Sequence, residues 1–250
     1  MDAFVQHLQE FEERVDGEIA RRVQFIREQV EASGCRGVVV GISGGIDSAV
    51  SAALCLRALG PQRVQGVWMP ADSQAVHAED AERLAAALSL PLATIDVGPA
   101  FYALLAEVEK IEPLGDLARG NTKARLRMSA LYAVANQRNY LVADTCNRSE
   151  IYVGYMTKGG DGLADFNPMA SLLKHHVRIL ALHLGVPESI LNKPPSADLW
   201  RGQTDEQEMG FSYEELDRFI LFGEGRAEVM ERIQELHLRS EHKRRPMPEI

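Results

Sequence analysis

The residues with the clearest potential for chemistry form one short segment between an apolar run and a helical pattern. They are Gly41, Ile42, Ser43, Gly44, Gly45, Ile46, Asp47 and Ser48. The glycines let backbone N–H groups approach a ligand closely, and the positive end of the following helix dipole attracts anions. Ser43 and Ser48 offer hydroxyl groups to phosphate oxygens, and Asp47 offers a hard carboxylate oxygen of the kind that Mg²⁺ prefers. The segment therefore predicts a phosphate-binding loop with a metal ligand.

Two other phosphate loops and one purely structural role are the alternatives to this interpretation. The loop lacks the GxxxxGK pattern with its lysine, and it lacks the GxGxxG pattern of redox dinucleotide sites. A Gly-Gly turn is also a common connection between strand and helix, in which Asp47 or Ser48 would only cap the helix. The complete Ser-Gly-Gly-x-Asp-Ser string between strand and helix favours ligand binding over that structural role.

The apolar pattern around this loop predicts a sheet covered by helices on both faces. Four short apolar runs, rich in β-branched residues, are typical of buried strands, at 38–42, 64–69, 92–96 and 140–143. Helical patterns fall between them, at 49–59, 76–89, 100–110 and 121–137. Strands that alternate with helices in this way indicate an α/β fold with a doubly wound, mostly parallel sheet and flanking helices.

The last hundred residues show a different pattern, in which long polar loops separate short helices. We expect helices at 172–184, 213–221 and 225–238, and loops at 154–171 and 192–212. Long polar loops inside a compact chain usually carry function. We interpret residues 1–250 as one domain with a helical, loop-rich C-terminal part rather than as two domains.

An apolar stripe near the start of the chain predicts one long amphipathic helix over 4–33. The apolar residues recur at steps of three and four, at Phe4, Leu8, Phe11, Val15, Ile19, Val23, Ile26 and Val30. Such a stripe packs either on the core of its own chain or on a second subunit. The pattern alone leaves both possibilities open.

Composition and charge argue against several classes of partner. The 250 residues include 27 Lys and Arg against 36 Asp and Glu, which gives a formal net charge of −9. This acidic balance argues against a nucleic-acid binder, which needs a basic surface, and no apolar stretch is long enough to span a membrane. Three cysteines without a CxxC pair argue against a disulfide framework or structural zinc site. We expect a reducing, cytoplasmic location.

Further motifs follow the loop in a defined order, and together they resemble a known family. They begin at Asn121, Asp144, Tyr155, Leu173, Lys193 and Gln203. In this order and spacing they look like the ammonia-using catalytic domain of NAD synthetases, members of the PP-loop ATP pyrophosphatases. The resemblance extends from about residue 20 to Lys243. It implies an adenine nucleotide α-hydrolase-like fold and a homodimer that shares the dinucleotide site, which favours the subunit contact for the N-terminal helix.

The resemblance implies a two-step, ATP-dependent ligation. The carboxylate of deamido-NAD (nicotinic acid adenine dinucleotide) attacks the α-phosphate of ATP, which yields an acyl-adenylate and pyrophosphate. Ammonia then displaces AMP and forms NAD. Mg²⁺ is the implied cofactor. Glutamine-dependent relatives carry an N-terminal amidase domain, for which the residues before the first strand leave no room, so we expect free ammonia as the nitrogen donor.

The roles of individual residues follow from their positions in the family's motifs. Segment 41–48 is expected to bind ATP together with Thr145, Lys174 and Ser196. Contacts to deamido-NAD are expected from Arg125, Lys158, Asp165, His242 and Lys243. The expected Mg²⁺ ligands are Asp47 and Glu150. Catalysis is expected to depend on Asp47, Glu150 and Asp165, with Asp165 as the candidate base for ammonium.

Two alternative functions and three departures from the family pattern stay open. The alternatives are another PP-loop enzyme that adenylates a different acid, and a non-catalytic adenine-nucleotide-binding module. Segment 68–73 lacks the arginine that is usual near it, Asp144 stands where glycine is common, and Gly159 stands where an aromatic residue is usual. These departures concern contacts to the nucleotides more than the reaction itself.

Overall fold

A four-stranded parallel sheet forms the centre of the computed structural model, which describes residues 2–73, 75–196 and 204–249. Its strands are β1 (Gly37–Ile42), β2 (Val64–Trp68), β3 (Leu92–Thr94) and β4 (Tyr140–Ala143). Every strand pair is parallel, and the order across the sheet is β3-β2-β1-β4. The predicted α/β fold with its parallel sheet is confirmed, although β3 is shorter than the sequence pattern suggests.

Helices surround this sheet and make up most of the C-terminal part. They are α1 (Ala3–Glu13), α2 (Val15–Ser33), α3 (Ile46–Leu59), α4 (Ala75–Leu88), α5 (Gly98–Val108), α6 (Asp116–Arg138), α7 (Arg148–Val153), α8 (Lys174–His183), α9 (Glu188–Leu191), α10 (Asp205–Met209), α11 (Tyr213–Phe222) and α12 (Ala227–Arg239). Sequence analysis missed α7, α9 and α10, because helices this short show no apolar period. Among the described residues, no helix has the length and apolar character needed to cross a membrane.

The central strands β1 and β2 are buried on both faces, as their continuous apolar patterns predict, whereas the edge strand β3 is mostly exposed. Val38 and Val40 of β1 belong to a large core with α2, α3 and α8, whereas Val39 between them faces a second core. That second core is closed by Met128 and Leu131 of α6. Successive side chains of a strand point to opposite faces, so a strand that is apolar at every position must be covered twice.

The N-terminal amphipathic segment is two helices rather than the single helix predicted. Helix α1 ends and α2 begins at Arg14, whose φ of −105° and ψ of 9° lie outside the helical range. The bend lets α1 contact α8 while α2 lies along α3. Long helices bend in this way to follow a curved core. All stripe residues except the half-buried Leu8 are buried within this chain, so the stripe itself needs no second subunit.

A small third core joins the C-terminal helices to α7. Tyr213 and Leu216 of α11 pack there with Val153 of α7 and Ile233 of α12. Helix α11 also contacts α8. The C-terminal part therefore lies directly behind the segments that follow β4. The predicted loop at 154–171 contains no described helix, and the predicted loop at 192–212 contains α10, while its residues 197–203 lie outside the described part.

Candidate active site

The phosphate-binding loop lies where the order of the strands reverses. Strand β1 is paired with β2 on one side and with β4 on the other, so the chain leaves β1 and β4 in opposite directions around the sheet. In open α/β sheets, ligands bind at the carboxyl ends of the strands at such a switch point. The loop after β1 and the segment 144–150 after β4 therefore meet at one edge of the sheet.

Two serines order the phosphate-binding loop from within. The Ser48 hydroxyl accepts a hydrogen bond from the Ser43 amide at 3.2 Å and donates to the Gly45 carbonyl at 3.0 Å. The Ser43 hydroxyl lies 3.1 Å from that of Ser48 and accepts from the Gly45 amide at 3.2 Å. Gly44 has a φ of +75°, which favours glycine, and a Cβ there would lie 2.6 Å from the His77 carbonyl oxygen. The loop is thus held in shape by its own hydrogen bonds.

A buried lysine joins the two predicted metal ligands. The Nζ atom of Lys174 lies 2.5 Å from Asp47 Oδ2 and 3.1 Å from Glu150 Oε1. Asn147 Nδ2 donates to the other Asp47 oxygen at 2.8 Å. Asp47 therefore faces the segment after β4 rather than capping α3, which was the structural alternative for this residue. Three residues that are far apart in the sequence meet here.

Helices α7, α8 and α11 fix the positions of Glu150 and Lys174. Glu150 and Asn147 form a reciprocal cap at the start of α7, in which each side chain accepts from the other residue's amide. The Tyr213 hydroxyl donates toward Glu150 Oε1 at 3.3 Å, and its ring lies 4.7 Å from Lys174 Nζ. Lys174 is the first residue of α8, and its amide donates to the Ser149 hydroxyl at 3.0 Å.

Burial and neighbouring charges shift the pKa of Glu150, Asp205 and Lys174. Burial and the nearby Asp47 charge raise the pKa of Glu150. Burial also raises the pKa of Asp205, which accepts a hydrogen bond from Tyr213 at 3.0 Å. Burial opposes the charge on Lys174, but the charges of Asp47, Glu150 and Asp205 outweigh it and raise the pKa of this lysine. Lys174 therefore stays an ammonium ion at neutral pH.

A cavity of about 510 Å³ opens in front of this cluster, within the size range of small-molecule sites. Twelve of the predicted site residues line it: Gly41, Ile42, Ser43, Gly45, Ile46, Asp47, Ser48, Thr145, Glu150, Lys174, Ser196 and Lys243. The predicted residues that do not line it are Gly44, Arg125, Lys158, Asp165 and His242. Of these, Gly44 belongs to the loop itself, and the other four were expected to contact deamido-NAD.

Three of those four residues are connected just outside the cavity. Arg125 Nε donates to the Lys158 carbonyl at 3.2 Å, and Lys158 Nζ donates to the His242 carbonyl at 2.8 Å. Asp165 lies apart from them, because its carboxylate accepts from the Val142 amide at 2.7 Å and from the Tyr132 hydroxyl at 3.1 Å. The structure thus gives Asp165 a contact to the end of β4 and not to the cavity.

Sequence reasoning missed a second lysine that contacts the phosphate-binding loop. Lys193 Nζ lies 2.7 Å from His77 Nδ1, 2.9 Å from Asp80 Oδ2 and 3.4 Å from the Gly44 carbonyl oxygen. Both Lys193 and His77 line the cavity. Lys193 begins one of the motifs noted in the sequence, whereas His77 and Asp80 lie in an ordinary helical pattern on α4. Only the fold reveals that these three side chains meet.

The three departures from the family pattern have local explanations. Arg127 of α6 lines the cavity and donates to the Met69 carbonyl at 3.0 Å, so an arginine reaches segment 68–73 from another element. The Asp144 carboxylate accepts from the amides of Thr145 and Cys146 at 2.6 and 2.8 Å and thereby shapes the turn after β4. Gly159 has a φ of +77°, a conformation that disfavours the usual aromatic residue.

The carboxylate pair fits a Mg²⁺ ion that is bound together with a nucleotide. Asp47 and Glu150 already share one cation, the Lys174 ammonium, so both can reach a common ion. Among the described residues, no group of three or more His, Cys, Asp or Glu side chains is arranged to hold a metal. Mg²⁺ at nucleotide sites typically takes one or two carboxylates and completes its shell with phosphate oxygens and water.

A parallel sheet with a phosphate-binding loop and a carboxylate pair at its switch point defines an α/β enzyme of the nucleotide-binding class. The sequence profile described as NAD synthase matches residues 18–247. The NH(3)-dependent NAD(+) synthetase of Syntrophomonas wolfei subsp. wolfei is 45% identical over 90% of this chain and 92% of that protein. This chain therefore belongs to the NAD synthase family, and it is a ligase that forms a carbon–nitrogen bond.

Solved structures in the family superpose over most of the chain. An NMN synthetase from Francisella tularensis has a TM-score of 0.90 and 40% identity, and covers 94% of this chain and 98% of its own. The NH3-dependent NAD synthetase from Campylobacter jejuni, solved with a nitrate ion, has a TM-score of 0.78 and 33% identity, with the same coverage. The fold and the family are thus established by sequence and by structure.

A methyl group at Gly44 tests whether the loop geometry is needed for nucleotide binding. We expect Gly44→Ala to weaken ATP binding about tenfold or more, because the left-handed backbone conformation costs a non-glycine residue roughly 1–2 kcal/mol. The contact with the His77 carbonyl adds to this cost. Isothermal titration calorimetry with ATP and Mg²⁺ measures the effect.

The matched control is Gly17→Ala on α2, where an added Cβ meets no atom within 4 Å. It should bind ATP like the wild type. If Gly44→Ala also binds ATP with unchanged affinity, the loop is not the phosphate site.

Proposed function

We propose that this ligase converts deamido-NAD and ammonia to NAD, and that it splits ATP into AMP and pyrophosphate. One observation carries the proposal: the phosphate-binding loop, the Asp47–Glu150 pair and Lys174 converge on one cavity. The family membership supports the same reaction. The cosubstrates are two nucleotides, so the chain must provide both a triphosphate site and a second nucleotide site next to it.

In the first step, a carboxylate oxygen of deamido-NAD attacks the α-phosphorus of ATP. The bond to the β-phosphate breaks, and pyrophosphate leaves with the bonding electrons. Segment 41–48 binds the phosphate oxygens through its amides, and Lys174 neutralises negative charge beside them. Thr145 and Ser196 line the same cavity and complete the contacts to ATP. Asp47 and Glu150 would hold Mg²⁺, which neutralises the pyrophosphate leaving group.

In the second step, ammonia attacks the carbonyl carbon of the acyl-adenylate. The bond from carbon to the AMP oxygen breaks, and one proton leaves the nitrogen. The chain mainly orients the reactants and stabilises charge, so none of its side chains needs to form a covalent bond. Asp165 stays our predicted base for ammonium, although its contacts in this chain lie at the end of β4. Free ammonia as the donor agrees with the ammonia-dependent relatives.

Deamido-NAD would bind along the cationic edge outside the cavity. Arg125, Lys158 and His242 form a connected group there, and Lys243 lies between this group and the cavity. Arginine and lysine suit the pyrophosphate and the nicotinate carboxylate of this substrate. We also propose that the reaction takes place in the cytoplasm, where the unpaired Cys35, Cys55 and Cys146 would stay reduced.

A mononucleotide is the second candidate for the acid substrate. The observation that favours it is the TM-score of 0.90 with the NMN synthetase, higher than the 0.78 with the NAD synthetase from Campylobacter jejuni. Gly159, which stands where the family usually has an aromatic residue, directly follows Lys158 in the sequence. Lys158 is one of the residues expected to contact the dinucleotide. Nicotinic acid mononucleotide presents the same carboxylate to ATP, so the adenylation chemistry would be unchanged.

The removal of one carboxylate tests the ligand pair. We expect Asp47→Asn to lower AMP release by about 100-fold or more, because the pair loses a charged oxygen donor and the leaving group loses its cation. Chromatographic quantification of AMP and NAD from ATP, Mg²⁺, ammonium and deamido-NAD gives the rate. Asp16→Asn, the same change at an exposed position on α2, is the control, and thermal unfolding checks that both variants are folded. Normal turnover by Asp47→Asn would refute the assignment.

A comparison of acid substrates tests the proposed function and its second candidate. We expect kcat/KM with deamido-NAD to exceed that with nicotinic acid mononucleotide by about tenfold or more, because only the dinucleotide reaches the outer cations. Both substrates are assayed at saturating ATP, Mg²⁺ and ammonium. The reverse preference would identify the mononucleotide as substrate. AMP release that ignores both acids would indicate a different acid, and no turnover would indicate a binding module.

A homodimer is part of the proposal, with the dinucleotide site near its interface. Four large apolar side chains are exposed between residues 102 and 117, namely Tyr102, Leu104, Ile111 and Leu117. Grouped apolar exposure of this kind commonly marks a protein interface. The N-terminal segment 4–33, which forms α1 and α2, stays a predicted subunit contact as well. Sedimentation velocity should give about twice the 27.7 kDa of one chain, and a monomer at micromolar concentration would contradict the dimer.

A further inference from the structure

The Lys174 ammonium occupies the oxygens that the predicted Mg²⁺ ligands would offer to a metal. Its Nζ contacts Asp47 Oδ2 at 2.5 Å and Glu150 Oε1 at 3.1 Å, and its side chain is 1% exposed. Two cations on the same pair of oxygens would repel each other strongly in a buried site. The lysine and a divalent ion therefore compete for these oxygens.

The remaining oxygens of the two carboxylates also have donors within the chain. Asn147 donates to Asp47 Oδ1 from its side chain at 2.8 Å and to Glu150 Oε2 from its amide at 3.1 Å. The Tyr213 hydroxyl, which donates to Asp205 Oδ2 at 3.0 Å, also lies 3.3 Å from Glu150 Oε1. All four carboxylate oxygens are thus satisfied by the protein. A metal ion would gain little from this pair unless something else took the ammonium group away.

A polyphosphate is the ligand that can take the ammonium group away. The Lys174 side chain lines the cavity together with the loop 41–48, so a phosphate bound by that loop lies within reach of it. The Lys174 amide donates to the Ser149 hydroxyl at 3.0 Å, which holds the backbone of this residue in place. The ammonium group can therefore change partners by a movement of the side chain alone. The metal also lacks ligands without a nucleotide, since no group of three metal-binding side chains occurs among the described residues.

We propose that Lys174 makes the Asp47–Glu150 pair selective for a metal–nucleotide complex over the free metal ion. Without nucleotide, the lysine pairs with both carboxylates and excludes a divalent cation. With nucleotide, the Lys174 ammonium contacts the phosphates instead of the carboxylates. The two carboxylates then bind the metal ion that arrives with the nucleotide. The inference rests on the proposed function, because it takes Asp47 and Glu150 as the metal ligands. It implies that metal and nucleotide each increase the affinity for the other by the same factor.

Mn²⁺ binding to the wild type gives the first test. Mn²⁺ prefers the same oxygen ligands as Mg²⁺ and is paramagnetic, so electron paramagnetic resonance counts the bound ion directly. We expect the protein to bind Mn²⁺ at least tenfold more tightly in the presence of a non-hydrolysable ATP analogue than in its absence. The Mn²⁺ that is bound by free analogue is subtracted. Equal Mn²⁺ affinity with and without the analogue would overturn the proposal.

The Lys174→Met variant gives the second test, because methionine keeps an unbranched side chain only one atom shorter than that of lysine and removes the charge. We expect this variant to bind Mn²⁺ without nucleotide at least tenfold more tightly than the wild type, with a higher melting temperature in Mn²⁺. Lys174→Gln is the second variant, should the methionine variant not fold. Lys110→Met is the matched control, because its ammonium pairs with Glu107 on the surface of the chain and its loss should leave Mn²⁺ affinity unchanged. Unchanged Mn²⁺ affinity in both Lys174 variants would overturn the proposal.

A double variant separates this inference from the proposed function. If Lys174→Met gains Mn²⁺ binding, adding Asp47→Asn should abolish the gain, because the ion then loses one of its two carboxylates. A gain that survives Asp47→Asn would place the ion elsewhere and overturn the inference together with the ligand assignment. The NAD assay of the wild type is independent of both results, so its failure would concern the proposed reaction alone.

Discussion

The interaction on which the site depends is the buried contact of Lys174 with Asp47 and Glu150. Charges removed from water are costly, and they persist only where opposite charges and hydrogen bonds compensate them. Here the cap formed by Asn147 and the hydroxyl of Tyr213 supply the additional hydrogen bonds. The helices around the cluster are therefore constrained in position by the need to keep these charges satisfied.

The sheet topology explains how distant residues reach this cluster. Because β1 and β4 are neighbours, the loop that contains Asp47 and the segment that contains Glu150 leave the same edge of the sheet. Lys174 comes from α8, and Tyr213 comes from α11 behind it. A parallel sheet alone would supply only Asp47 and Glu150. The C-terminal helices complete the site, which is why the loop-rich part of the chain belongs with the sheet.

The sequence patterns predicted the sheet and the loop well and the polar network poorly. Apolar β-branched runs identify buried strands because each strand must be covered on two faces. The motif order identified Asp47, Glu150 and Lys174, but not that they touch, because that contact depends on how α8 packs against α3. Tyr213 carried no local signal, since a tyrosine in an amphipathic helix usually packs in a core. The break at Arg14 was equally invisible, because it follows from the curvature of the core and not from a proline or glycine.

The cations of the site fall into two electrostatic kinds, and the difference follows from their partners. Lys174 and Lys193 are each paired with carboxylates at the cavity, so they add little net charge until an anion displaces those partners. Lys158 and Lys243 instead donate to backbone carbonyl oxygens, which carry no net charge, and Lys243 is half-buried at the cavity. In the proposed reaction, cations of this second kind are the ones that would attract a nucleotide to a chain with a net charge of −9, over distances near the Debye length. In the same proposal, the paired lysines act only at contact, where the displaced carboxylates become available to other cations.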